Sequence, residues 1–313
     1  MKICVLSILL AVSLLVSADS IPENIPSSTN VLARLDLKSA VKNPTIKRIK
    51  DTSRKYKEFL SKLKKGVSFD FEKADSIWFA GRNMEEGFLI LKGNFDTDDI
   101  SSTLVLNPDV EMMNVKACKF AAKFQDEKNK DIKNIGLIVD DNTIVFGKEL
   151  YVEGYLKVLQ GKGARFSSKK RSEAAPYFEG KNDLTVVFLK FLWPIKNPGM
   201  QIIVDNLNAG ILSFNLEKDL DVKLVFDFKS AQFAQQFKQP LEMLLTAQLS
   251  NKQGSRVATV VREELGSNLD VKAEKNNLIV KSKISKNKVD ELLSFFLLRK
   301  EGMAEGGKAY ESY

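Results

Sequence analysis

The sequence predicts an α+β fold: two related units of mainly antiparallel sheet covered by helices, arranged as a tandem pseudo-repeat. Three observations predict it. Runs of alternating apolar residues come in pairs across short polar turns, and between them lie stretches whose apolar residues recur every three or four positions. Leu35-Asp-Leu-Lys-Ser-Ala-Val-Lys-Asn-Pro44 is answered by Leu189-Lys-Phe-Leu-Trp-Pro-Ile-Lys-Asn-Pro198, each a strand end followed by the same Lys-Asn-Pro helix start. Asn142-Thr-Ile-Val145 is answered by Asn277-Leu-Ile-Val280 at a later hairpin, and the order strand, helix, hairpin, helix, hairpin, helix occurs twice. The first copy carries an insertion around Val110 to Lys133.

Each element has its own reason. Val31 to Leu37 alternates and is expected as a strand. Asn43-Pro44 opens a long helix, with Ile46, Ile49, Ser53, Tyr56, Leu60 and Leu63 on one stripe and Gly66 at its end. Ser76–Ala80 and Gly87–Phe95 pair through Arg82-Asn83, burying Trp78, Phe88 and Ile90. Asp96 caps a short helix to Thr103. Val110 to Phe124 supplies one or two strands. Asn134–Asp140 and Thr143–Phe146 form a hairpin on Asp141-Asn142. Lys148 to Leu159 is helical and stopped by Gly161-Lys-Gly163, and Ser167 to Phe178 adds a helical turn or two.

The second copy begins with a strand from Leu184 to Phe191, and Asn197-Pro198 starts a helix to about Leu207. Gly210–Leu216 and Asp221–Phe228 form a hairpin. Ser230 to Leu249 is a long helix, with Phe233, Phe237, Leu241, Leu244 and Leu245 assigned to one face. A further helix covers Arg256 to Leu265. Leu269–Ala273 and Leu278–Ile284 form the last hairpin, and Ser285 caps a final helix to Leu298. The domain plan is therefore a signal peptide at 1–18, a linker at 19–30, a first α+β unit at 31–180, a second at 181–298 and a flexible tail at 299–313.

The first eighteen residues set the expected compartment. Lys2 precedes an apolar run from Ile3 to Val16, and Val16-Ser17-Ala18 offers the small residues of a secretory cleavage site. The run is shorter than the roughly 17–25 residues that a spanning helix needs. Export to the periplasm or the cell exterior follows, and the absence of any Asn-x-Ser/Thr sequon leans towards a bacterial exported protein. Lys190 interrupts the most apolar later stretch, Leu184 to Ile195, so no transmembrane segment is expected in the processed chain.

A resemblance agrees with this plan. Asn24-Ile-Pro, then Asn30-Val-Leu-Ala-Arg-Leu-Asp-Leu37 followed by Asn-Pro and a helix, and Leu137-Ile-Val-Asp-Asp-Asn-Thr-Ile-Val-Phe-Gly-Lys148 with its following helix make the chain similar to a set of uncharacterised exported proteins of planctomycete- and Lentisphaera-type bacteria. The resemblance implies export and a duplicated α+β layout. Its motifs are strand ends, turns and helix starts, and it brings no catalytic residue.

The chemistry open to the chain is narrow. It has no histidine and two cysteines, which excludes histidine-based triads, histidine-ligated zinc and a disulfide scaffold. No Gly-rich phosphate loop, Walker motif or Ser-x-x-Lys occurs, so no cofactor is expected. Charge is the leading signal. Lys47, Arg48, Lys50, Arg54, Lys55, Lys57, Lys62, Lys64 and Lys65 stand against only Asp51 and Glu58, a local excess of seven that equals the excess of the whole chain once Lys2 is removed. The apolar stripe turns Lys47, Arg48, Lys50, Arg54, Lys55 and Lys57 towards solvent or the stripe's margins. That pattern suits an anionic polymer, lipid headgroups or an acidic protein. It suits nucleic acid poorly, since no aromatic side chains are interleaved for stacking. The bland alternative is a solvated helix face.

Asp96, Asp98 and Asp99 are oxygen ligands in type but fit helix capping better, and Asp140-Asp141-Asn142 fits a turn, so no metal site is assigned. Lys169-Lys170-Arg171 is a second, minor basic run. Cys118 fits an inert thiol, and Trp78 and Trp193 fit the core. The expected function is an exported, non-enzymatic binding or structural protein. Two alternatives stand beside it: a carboxylate-dependent hydrolase with its site between the units, and an apolar-ligand carrier.

Overall fold

The computed structural model describes residues 21–44, 47, 51, 57, 61, 68–70, 73–125, 133–180, 182–190, 198–216, 218–250 and 256–292. Its strands are β1 (Val31–Asp36), β2 (Ala74–Gly81), β3 (Gly87–Gly93), β4 (Val110–Met112), β5 (Phe120–Gln125), β6 (Lys133–Asp140), β7 (Thr143–Lys148), β8 (Leu184–Phe188), β9 (Leu207–Asn215), β10 (Leu220–Phe228), β11 (Asp270–Glu274) and β12 (Asn277–Ile284). The helices are α1 (Leu37–Ala40), α2 (Thr97–Val105), α3 (Glu149–Leu159), α4 (Ser168–Phe178), α5 (Pro198–Asp205), α6 (Ala231–Leu249) and α7 (Arg256–Ser267), with residues 286–292 also helical. The fold is α+β. The signal peptide, the tail at 299–313, Trp193, Asn197 and the end of the final helix lie outside the described residues.

All twelve strands join one sheet in the order β11-β12-β10-β9-β8-β1-β2-β3-β7-β6-β5-β4, with every neighbour antiparallel. The expectation of a separate sheet for each unit is corrected by the β1–β8 pair, in which Leu32 faces Val187, both fully buried. The physical reason is a continuous apolar row. Cross-strand register runs from Ile279 through Val225, Ile211, Val187, Leu32, Ala80, Phe88 and Gly147 to Ile135, with Lys272 and Lys123 at its two ends. Separating the halves would expose that row at its centre, and burial of a Val- or Leu-sized side chain stabilises by about 1.5–3 kcal/mol.

The row belongs to the face that carries Trp78, whose core also takes in Val152, Tyr155, Leu156, Phe166, Ala174 and Phe178 from α3, α4 and their connector. On the opposite face α1 and α2 cover Leu35, Ile77, Leu91, Ile138 and Ile144 through Leu37, Ile100 and Leu104. Farther along that face, α6 lays Phe233, Phe237, Leu241 and Leu245 on Leu224, Phe226, Val271, Leu278 and Val280. Leu244, assigned to the same stripe, is half exposed instead, because at one residue before Leu245 it turns off the packed face.

Caps fall where short polar side chains precede helices. Asp96 accepts from Asp99 N–H, Ser167 from Lys170 N–H and Ser230 from Phe233 N–H. At residue 286 the carboxylate of Asp219 accepts the Lys286 N–H, while Ser285 Oγ bonds Glu264, so the cap comes from a distant turn as well. The segment Ser167–Phe178 makes three turns of helix, with Pro176 inside it, longer than the turn or two its sequence suggests.

Residues 21–30 do not behave as a linker. Ile21 and Ile25 are buried in the main core, Ser27 N–H donates to Ala164 O and Phe166 N–H to Ile25 O at 2.7 Å. Pro22 and Pro26 keep the segment out of the ladder, and its two isoleucines anchor it all the same.

Candidate functional site

Pro44, Lys47, Asp51, Lys57 and Ser61 lie in helical backbone and all are exposed, with Lys47 N–H donating to Asn43 O at 2.9 Å. Asn43 itself is buried and its side-chain amide donates to Leu216 O, which ties the helix start to the β9–β10 turn. Arg48, Lys50, Arg54 and Lys55, with Lys62, Lys64 and Lys65, lie outside the described residues. Lys47 and Lys57 are therefore the described cations of the expected anionic-partner surface, and both face solvent.

The second basic run has a structural role that charge counting missed. Arg171 on α4 donates its guanidinium to the carbonyls of Ile21, Pro22 (2.9 Å) and Glu23 (3.2 Å). Lys170 reaches Ser27 O and Thr29 O. Carbonyls that a sheet would have paired are satisfied by these side chains instead. The signal lay in Pro22 and Pro26, which lack the N–H donors that a ladder through this segment would need.

The two acidic motifs come together in space. Phe95 N–H donates to Asp141 O, Thr97 Oγ1 donates to Asp141 Oδ1 at 2.8 Å, and Asn142 Nδ2 donates to Gly93 O. Lys119 sits among them as an ion pair with Asp141, which pushes the lysine's pKa up and holds the aspartate's down. A lysine thus occupies the place a cation would need, and among the described residues no group of three or more acidic or sulfur ligands can hold a metal ion. Cys118 is half buried, its Sγ 3.6 Å from Val115 O, and burial raises its pKa. A thiol held protonated in this way is a poor nucleophile.

Two further clusters were not legible beforehand. Arg34 is buried at the centre of the sheet, donating to Phe178 O at 2.8 Å and to Asp36 at 3.2 Å with its guanidinium over the Trp78 ring. Trp78 itself is fully buried, its ring 4.9 Å from that of Phe178. Near the end of α4, Tyr177 OH donates to Asp227 Oδ2 at 3.3 Å and Asn208 Nδ2 approaches the same oxygen at 3.5 Å. Burial raises the pKa of Asp227 and pushes that of Tyr177 up to about 12, and the charge of Glu173 adds to both shifts.

The chain is similar to TP0453. Its structures in crystal forms III and IV give TM-scores of 0.47 and 0.46 at 11% and 12% identity, covering 88% and 86% of this chain and 99% and 96% of that chain. No family model matches the chain, and no curated protein matches it. Among the described residues no helix is long and apolar enough to cross a membrane.

Proposed function

We propose that the chain is an exported, non-enzymatic binding or structural protein. Its leader is removed after Ala18, and it engages an anionic surface or polymer in the periplasm or outside the cell through the helix at 45–65. The observation that carries the reading is the exposure of Lys47 and Lys57 on helical backbone, within the segment that holds an excess of seven of the chain's net eight positive charges. Concentrated positive charge on one helix attracts polyanions through a field that added salt weakens. The test replaces Lys47, Lys50, Arg54 and Lys57 together by glutamate. The unchanged protein is expected to bind an anionic matrix at low salt and elute as salt rises. The variant is expected to pass through, with its circular-dichroism melt unchanged. Equal retention of the two would remove the helix from the function.

The same reading takes 31–180 and 181–298 as copies of one ancestral unit, in line with the resemblance to duplicated exported proteins. Strand order supports it. Outwards from the centre the first half runs β1-β2-β3-β7-β6 and the second runs β8-β9-β10-β12-β11. The strands β4 and β5, which fall in the expected insertion, lie beyond that shared order at one edge.

A further inference from the structure

The connector between α3 and α4 carries a second concentration of positive charge, and every residue of it is described. Residues 154–172 hold Lys157, Lys162, Arg165, Lys169, Lys170 and Arg171 and no aspartate or glutamate. Lys170 and Arg171 are committed to the carbonyls of the segment at 21–29. The other four side chains are exposed. Among the described residues no carboxylate pairs with Lys157, Lys162 or Arg165. Lys169 meets Glu173 at 3.9 Å, but both are largely exposed, and such a pair is weak and readily exchanged. The backbone that carries these cations is pinned. Lys157 O accepts from Lys162 N–H at 2.7 Å and from Gly163 N–H at 2.8 Å, which folds the turn back onto the end of α3. Ser27 N–H donates to Ala164 O at 2.9 Å, and Phe166 N–H donates to Ile25 O at 2.7 Å. A Cβ on Gly163 would meet Val158 N at 2.9 Å, so the turn lies directly against the helix. α4 then begins with Lys169 and Lys170 and no acid in its first turn, so its positive end adds to the same field.

We propose that Lys157, Lys162, Arg165 and Lys169 form a binding surface for a linear phosphate-bearing polymer, made of different residues from the helix at 45–65. All four side chains are exposed, so none is enclosed as a site for one small anion requires, and their attraction counts only when several engage one polyvalent partner. The large apolar side chains of the same stretch are turned inward: Val158 and Phe166 are buried and Leu159 is half-buried. Nothing large and apolar is left to enter a bilayer, which favours a soluble polymer over a lipid surface. The surface deepens the anionic-partner reading by giving the same polymer a second point of contact, and it stands on its own residues if the helix plays no part.

The experiment measures binding of long-chain polyphosphate, and of vesicles of phosphatidylglycerol and phosphatidylcholine, across a range of salt. Four full-length chains are compared: the unchanged protein, a connector variant (Lys157→Gln, Lys162→Gln, Arg165→Gln, Lys169→Gln), the glutamate variant of the helix described above, and the two combined. Lys170 and Arg171 are kept because they hold the segment at 21–29, so the circular-dichroism melt of the connector variant is expected to be unchanged. That variant is expected to bind polyphosphate at least about tenfold more weakly at low salt, and its slope of log affinity against log salt is expected to fall by roughly two to three, as the loss of four phosphate contacts implies. Its vesicle binding is expected to equal that of the unchanged protein. The helix variant is expected to keep a salt-sensitive affinity that the combined variant loses. Equal polyphosphate binding by the connector variant and the unchanged protein, a loss confined to vesicles, or complete loss of binding by the helix variant alone would overturn the proposal and leave the helix reading standing. Full binding by the helix variant with loss by the connector variant would support the proposal and remove the helix from the function. No polyphosphate binding by the unchanged protein would overturn the proposal, and with no vesicle binding either it would overturn both.

Discussion

Two stretches of the same row of side chains contrast the halves of the sheet. From Arg34 across β2, β3, β7, β6 and β5 the register runs Trp78, Ile90, Val145, Leu137 and Ala121, all buried. From Arg34 the other way, across β8, β9, β10, β12 and β11, it runs Thr185, Ser213, Lys223, Lys281 and Asp270. One stretch lies under α3 and α4, while at the far end of the other Lys223 and Lys281 are exposed. The opposite face of β10, β12 and β11 is the one that α6 covers. The first half of the sheet thus buries this row throughout, whereas on the same face the outer strands of the second half keep Val225 in the core and turn Lys223 and Lys281 to solvent. Arg34 stands at the changeover. Its guanidinium can be buried because Phe178 O and Asp36 accept its protons, and its flat face can meet Trp78 on the apolar side.

The largest expected effect breaks this contrast directly. Val145→Lys puts an unpaired charge into the two-sided core and is expected to cost about 4 kcal/mol or more, while Lys281→Val on the open face is expected to change stability by under about 0.5 kcal/mol. Urea midpoints at constant slope measure both. Similar shifts for the two would mean that the faces are covered alike. Next comes Gly147→Ala. Gly147 lies in the long apolar row, and a Cβ there would meet Phe88 Cβ at 2.9 Å and Phe88 Cα at 3.1 Å. Because the second contact is backbone, β3 and β7 must part, at an expected cost of about 1–3 kcal/mol. An unshifted midpoint would show that the two-sided half is looser than its burial implies.

Much of this contrast is written in local pattern. β12 alternates buried Leu278, Val280 and Ile284 with outward Lys281 and Lys283, and apart from Ile279 that is the mark of a strand covered mainly on one face. In β1, by contrast, Val31, Leu32 and Ala33 are buried in succession, and in β8 so are Val186 and Val187, the mark of a strand covered on both. The turn at Asp141-Asn142 and the cap at Asp96 were legible because each depends on neighbours within a few residues. The β1–β8 pair was not, since nothing local to either strand names its partner across about 150 residues. The docking of Ile21 and Ile25 was hidden by their prolines, which mark exclusion from a ladder and say nothing about burial. For the basic helix, the sequence supplied the charge excess, and the structure adds the exposure of Lys47 and Lys57.

A smaller effect tests where α4 meets the second half. The pKa of Asp227 is raised by burial, so its proton is bound more tightly in the folded than in the unfolded chain. Its contribution favours the fold below the ordinary carboxylate range near 3.8 and is lost as pH rises through the raised folded value. Asp227→Asn is therefore expected to be the more stable chain at neutral pH and to lose that advantage in acid. Asp227 is only partly buried, which keeps the gain below about 1 kcal/mol. Melting both chains across the acid range checks it, and a constant difference between them would show that the group does not titrate against folding.

The smallest effect lies on the open face and depends on register alone. Lys223 on β10 is opposite Ser213 on one side and Lys281 on the other, whereas Lys281 on β12 is opposite Lys223 and Asp270. Like charges directly across an antiparallel pair repel, and opposite charges attract, by about 0.2–1 kcal/mol. Lys223→Glu replaces the repulsion by an attraction and gives up no ion pair among the described residues, so it is expected to stabilise by a few tenths of a kcal/mol. Lys281→Glu makes the same gain with Lys223 and spoils its register with Asp270, which already pairs with Lys272 at 2.8 Å, so the two changes offset each other. The difference between the two variants is expected to shrink as salt is added, because these side chains are exposed. Equal stabilisation by both would mean that Asp270 is committed to Lys272 and that only the β10–β12 contact has energetic weight on this face.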